Sequence, residues 1–134
     1  MRLIVLDTNV IISARINSEG PPSQIVNLVL DGQIQIVTCP SIAAEYREVT
    51  ARAKFHAYGF PPAWLETLIR TSLTLSDPDP LSINCPDPKD IPFLALARAA
   101  GAWLVTGNVK HFPEHVRSGV TVVTPSEYLA RLSA

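Results

Sequence analysis

Leu3-Ile4-Val5-Leu6 constrains the fold more than any other stretch, because these four branched apolar residues run straight into an acid, Asp7. A run this short, with no polar alternation, suits a strand buried on both faces better than an amphipathic helix. Asp7 then sits at the strand's carboxyl end. In open α/β sheets that edge borders the crevice where ligands bind. Three later stretches, at Glu45, Asp87 to Asp90 and Asn108, are placed to complete a site with it.

The chain then alternates. Asn17 to Pro22 reads as a loop, and Ser23 to Leu30 as a helix stopped by Asp31-Gly32. Ile34 to Thr38 is a second strand. Pro40 opens a helix to about Arg52, with Ile42, Tyr46 and Val49 on one face. After a break at Tyr58 to Pro61, a helix spans Pro62 to Leu75, with Leu65, Leu68, Ile69 and Leu73 as its stripe. Ser76 to Asp87 is a loop dense in Pro and Asp. Ile91 to Ala100 is an alanine-rich helix ended by Gly101. Trp103 to Thr106 and Val120 to Val123 are the later strands, and Pro125 to Leu132 is a final helix with Thr124 as N-cap. Strands alternating with helices imply a parallel sheet covered on both faces, with right-handed crossovers. At 134 residues, with no repeat or internal boundary, one domain is expected.

Hydrophobic residues make up 47% of the chain and charged ones 17%, which excludes a disordered protein. Eleven basic and 12 acidic residues give a net charge of -1, not the broad basic footprint of a dedicated DNA-binding domain. Nucleic acid would have to be held by a local patch or a metal. Cys39 and Cys85 are too few for a disulfide scaffold, so free thiols in a reducing cytoplasm are expected. Met1-Arg2 leads directly into the first strand, so no signal peptide is expected, and no apolar run nears the ~18 residues of a membrane span.

Each candidate residue has an ordinary alternative. Asp7-Thr8-Asn9 could simply start a short helix, or Thr8 and Asn9 could hold the Asp7 carboxylate in place. Glu45 shares the apolar side of its helix with Ile42 and Val49; it either curls to the edge, pairs with Arg47, Arg52 or another base, or meets a metal. Asp90 could cap the following helix, and a capping carboxylate can keep one oxygen free. Gly107-Asn108 could be only a turn. His111 and His115 read as surface residues, because Pro113 between them breaks a helical metal pair.

Together the acids say more. Two carboxylates ~4 Å apart repel by about 4 kcal/mol at an effective dielectric near 20. Three could stay ionised together only if a cation held them or protons neutralised some. Oxygen-only ligation points to Mg²⁺ or Mn²⁺, and no Cys/His cluster at zinc spacing competes.

The ordered set Leu6-Asp7-Thr8-Asn9-Val10, Ala44-Glu45-Tyr46, Asp87-Pro88-Lys89-Asp90 with Phe93 to Ala97, Leu104 to Asn108 and Val122 to Pro125 resembles the PIN domain. It is similar, more narrowly, to the VapC-type toxins of toxin–antitoxin pairs. The resemblance implies a three-layer α/β/α sandwich with a mostly parallel central sheet, and a Mg²⁺- or Mn²⁺-dependent ribonuclease. It carries over Asp7, Glu45 and Asp90 as the acidic triad, with Asp87 beside it. Many relatives have a fourth acid where this chain has Asn108, which puts a second metal in doubt. Asp7 and Asp90 are then expected to bind the metal directly and Glu45 directly or through water. A metal-bound water of lowered pKa would attack an RNA phosphodiester, Glu45 or Asp87 taking the proton. Lys89, Lys110 or Arg47 would steer the strand. The expected partners are RNA, an antitoxin protein and a second copy of the chain. The rival readings are a non-catalytic PIN-like module that binds RNA or protein, and a phosphatase with an aspartyl nucleophile. The last usually needs a second acid where Asn9 stands.

Overall fold

The computed structural model describes residues 2–133. Among them, five parallel strands form one sheet in the order β3-β2-β1-β4-β5. These are β1 (Leu3–Leu6), β2 (Gln35–Thr38), β3 (Leu73–Thr74), β4 (Trp103–Val105) and β5 (Val122–Val123). The opening apolar run is the central strand: Ile4, Val5 and Leu6 are fully buried. Ile4 pairs with Ile36 on one side, while Val5 and Leu6 pair with Leu104 and Val105 on the other.

The helices are α1 (Thr8–Ile16), α2 (Pro21–Leu30), α3 (Pro40–Thr50), α4 (Pro62–Arg70), α5 (Ile91–Ala100) and α6 (Pro125–Leu132). α5 packs on β1, β2 and β4, while α1 packs on α2 and α3, and α2 reaches α4 and α6. The chain steps from β1 to β2 to β3 in one direction and returns to β4 in the other. Right-handed crossovers therefore put α5 on the opposite face from the earlier helices. The result is the α/β/α sandwich, with a sheet that is wholly parallel. Gly101 ends α5 at φ +63°, the left-handed conformation that costs glycine least.

Between β1 and β4 the connections part, one toward β2 and one toward β5. This is the topological switch point of the sheet. Asp7 N–H donates to Val105 O at 2.9 Å, which extends the pairing one residue past β1 and pins Asp7 at that crevice.

Several boundaries differ from the sequence expectation. α1 follows Asp7 without a loop, so a helix does start there, although the Asp7 side chain does not cap it. α2 begins at Pro21 rather than Ser23, the two prolines occupying its first turn where no N–H is needed. α3 stops at Thr50 and is followed by a 3₁₀ turn, Ala53–Tyr58. α4 stops at Arg70, not Leu75. The Thr71 and Ser72 hydroxyls donate to the Leu68 and Ile69 carbonyls and draw the helix end shut. Leu73 is thus not on a helical stripe but in β3, paired with Val37 at the sheet's edge. Cys39 and Cys85 are buried free thiols. Among the described residues, no helix is long and apolar enough to cross a membrane.

Candidate active site

Asp7 is the N-cap residue of α1 by position, yet its side chain makes no cap hydrogen bond. The carboxylate turns instead to the end of β4. Thr106 Oγ1 donates to Asp7 Oδ2 at 2.8 Å, and Asn9 Nδ2 donates to the same oxygen at 3.3 Å. Asn9 also accepts from Gly107 N–H at 3.0 Å, and Thr106 Oγ1 accepts from Asn108 N–H at 3.0 Å. A Cβ on Gly107 would stand 3.3 Å from Asn9 Oδ1, so glycine permits this close approach. The exits of β1 and β4 are in this way laced together around one carboxylate.

That carboxylate is buried, with 6% of the residue exposed. Burial pushes its pKa from 3.8 up to about 6; the Thr106 hydrogen bond works against this, and the charges of Asp90 and Glu45 add to it. Beneath it, the fully buried Tyr46 hydroxyl donates to the Leu6 carbonyl, fixing α3 to the end of β1.

Asp87 and Asp90 divide the work at the entrance to α5. Asp87 Oδ1 accepts from Lys89 N–H at 3.0 Å and so caps the 3₁₀ turn Pro88–Asp90. Asp90 makes no side-chain cap hydrogen bond. Its Oδ2 lies 3.2 Å from His111 Nδ1, which must carry the proton to donate to a carboxylate. Burial raises the Asp90 pKa, the His111 charge lowers it, and Asp87 and Glu45 raise it further. His111, expected to be an uninvolved surface residue, is therefore a neighbour of the site. It stands on the 3₁₀ turn Val109–His111, followed by the fully buried Phe112.

Glu45 is half-buried on α3 and accepts a hydrogen bond from the Thr8 hydroxyl. The bases considered for it are engaged elsewhere: Arg47 grips Glu66 through both Nε and Nη2, and Arg52 pairs with Glu48 at 2.9 Å.

Asp7, Glu45, Asp87 and Asp90 all line one cavity of about 390 Å³. Thr8 and Asn9 line it too. Of the bases expected to steer a strand, Lys89 lines this cavity, whereas Lys110 is not among its lining residues and Arg47 lines a different, more apolar hollow with Phe60 and Leu65. Arg52 and Lys54 take the place given to them. Asn108 is exposed, and only its backbone N–H, through Thr106, joins the network around Asp7. Lys54 and Phe55 were not legible as site residues, because they lie on a 3₁₀ turn without helical or strand periodicity.

The donor set fits a hard divalent cation. The cavity offers carboxylate, hydroxyl and amide oxygens, the ligands of Mg²⁺ and Mn²⁺. Two of its acids carry a burial cost that a cation would relieve. Among the described residues, no three His, Cys, Asp or Glu side chains are already gathered at the spacing of one ion. Mg²⁺ keeps several of its waters, so carboxylates standing around a cavity of this size can hold it partly through them.

A parallel sheet with four carboxylates lining one cavity at its switch point defines an α/β domain built around an acidic crevice. The chain belongs to the PIN domain family, whose sequence profile matches residues 3–110. Over 108 residues it is 32% identical to the uncharacterized protein MJ1680 of Methanocaldococcus jannaschii, a match covering 78% of this chain and 70% of that protein. The profile takes in Asp7, Glu45, Asp87 and Asp90, and stops one residue before His111.

Proposed function

We propose that this chain is a Mg²⁺- or Mn²⁺-dependent endoribonuclease, the toxin of a toxin–antitoxin pair. The observation that carries the nuclease reading is that the Asp7 and Asp90 carboxylates cap no helix, yet both are buried against one cavity with Glu45. An ion bound there would lower the pKa of a water and offset charge on the scissile phosphate. Asp7 and Asp90 would hold it, and Glu45 would hold it directly or through water. Thr106 and Asn9 keep the Asp7 carboxylate turned to the crevice. His111 does the same for Asp90. Glu45, hydrogen-bonded by Thr8, or Asp87 would accept the proton of an attacking water. Lys89 and Lys54 draw the strand in electrostatically. The toxin role rests on the family resemblance, and with it go an antitoxin partner and a homodimer, both measurable by light scattering.

The second reading is a PIN-like module that binds RNA or protein without cutting it. The exposed Asn108, in place of an acid, and the spread of the carboxylates favour it. Cleavage of a mixed RNA pool with and without Mn²⁺ separates the two. Loss of Mn²⁺-dependent cleavage in Asp7→Asn supports the nuclease; cleavage unchanged in Asp7→Asn rules this site out.

A further inference from the structure

We propose that the Lys54–Phe55 wall of the cavity is a stacking subsite for one unpaired base of the RNA strand. This rests on the ribonuclease reading above.

The 3₁₀ turn Ala53–Tyr58 has no buried residue. It is nevertheless held in place by clips at both ends. The His56 ring bonds the Ala51 carbonyl at 3.1 Å, and Arg15 Nε donates to Gly59 O at 3.0 Å from a distant helix. The Arg15 guanidinium in turn lies over Trp64, 5.2 Å from the ring centroid. A segment fixed this way presents side chains without committing them to the core.

Phe55 lines the same cavity as the acids. It meets Phe60 at 5.9 Å with the rings inclined at 72°, and Phe60 meets Trp64 at 6.4 Å and 63°. The ring is thus braced by an aromatic relay rather than sandwiched. One of its faces carries Lys54 Nζ, 5.1 Å from the centroid. Phe55 is half-buried; a cation on a partly exposed ring is weakly held, and a nucleobase stacks there more strongly. When a base displaces it, the lysine is released beside the strand, where a phosphate is the natural partner. Lys89 reaches the cavity from the α5 side. A base buried in a duplex stack has no free face to offer, and with a net charge of -1 the chain has no broad basic surface to hold a duplex by its backbone.

The test uses the full chain in EDTA and a short RNA carrying 2-aminopurine, whose fluorescence is quenched by stacking. Binding with quenching is expected for the natural chain. Phe55→Ala should weaken it about tenfold or more and abolish the quench, while Phe55→Trp keeps both. Lys54→Ala should keep the quench and lower the slope of log affinity against log salt by about 0.7. If Phe55→Ala melts below the assay temperature, Phe55→Ile, which keeps apolar bulk but no flat face, replaces it. Unchanged affinity and quench in these variants, or equal competition by the same sequence as a duplex, overturns the subsite. A natural chain that shows no quench while its metal-dependent cleavage is intact overturns the subsite alone. Stacking without any such cleavage supports the subsite and overturns the nuclease reading instead.

Discussion

Thr106 and Asp7 stand 99 positions apart, yet Thr106 Oγ1 donates to Asp7 Oδ2 at 2.8 Å. The same fully buried hydroxyl also accepts from Asn108 N–H at 3.0 Å and, at 3.5 Å, from Asn9 Nδ2. Thr106→Val keeps the shape and removes the hydroxyl. It should cost about 1–3 kcal/mol of stability, because the Asn108 N–H and an Asp7 oxygen both lose a partner. The Asp7 pKa should rise further, as the Thr106 hydrogen bond now holds it down. Thr106→Ser should restore both. Urea melts and carboxyl NMR titration measure these effects, and a valine variant unchanged in both would contradict them.

Asp7 makes the metal-free protein less stable at neutral pH. Its folded pKa of about 6 lies above its ordinary value of 3.8. Between those values the folded state binds more protons than the unfolded one, so stability falls as pH rises through this window. The cost is fully present above pH ~6 and amounts to about 3 kcal/mol. Asp7→Asn carries no such charge. In EDTA it should be more stable than the natural chain at pH 7, and the gap should narrow toward pH 4. A gap independent of pH would show that the carboxylate is not the source.

Much of this site could be read before the fold was known, and for a definite reason. A four-residue apolar run ending in Asp has few places to go other than a buried parallel strand, and the sheet's own topology then puts the acid in a crevice. Gly101 marks the end of α5 equally well, because its left-handed conformation is one that glycine adopts freely. The failures come where two periodicities overlap. Leu73 falls four residues after Ile69, so it continues the helical stripe, yet the hydroxyls of Thr71 and Ser72 close α4 and send Leu73 into an edge strand. Asp90 reads from the sequence as the cap before α5, and only the backbone geometry gives the capping to Asp87 and frees Asp90. His111 meets Asp90 across 21 positions, through a 3₁₀ turn that no spacing rule describes.

His111 should act as a positioning residue for Asp90. His111→Ala leaves the carboxylate without its ring partner and should lower Mn²⁺ affinity roughly tenfold, in the range typical of residues that orient metal ligands. His111→Gln, which can still donate a hydrogen bond, should recover part of the loss. Calorimetric titration with Mn²⁺ reads this directly, independent of cleavage. Equal affinity in all three proteins would leave the contact without a role.

Metal should also offset the burial cost of the acids. At a Mn²⁺ concentration 100-fold above its Kd, stability should rise by about 2.7 kcal/mol, and EDTA should reverse it. Asp7→Asn and Asp90→Asn should abolish the shift, and Glu45→Gln should reduce it. Thermal melts with and without metal suffice. A full shift in Asp7→Asn would place the ion elsewhere.

The most direct measurement is anomalous diffraction from crystals grown with Mn²⁺, collected above the manganese absorption edge. The expected result is a peak in the crevice at the carboxyl ends of β1 and β4, within ligand or water-bridged reach of Asp7, Asp90 and Glu45. A cavity without anomalous density at saturating Mn²⁺, or a peak held by other residues, would contradict a carboxylate-held metal centre.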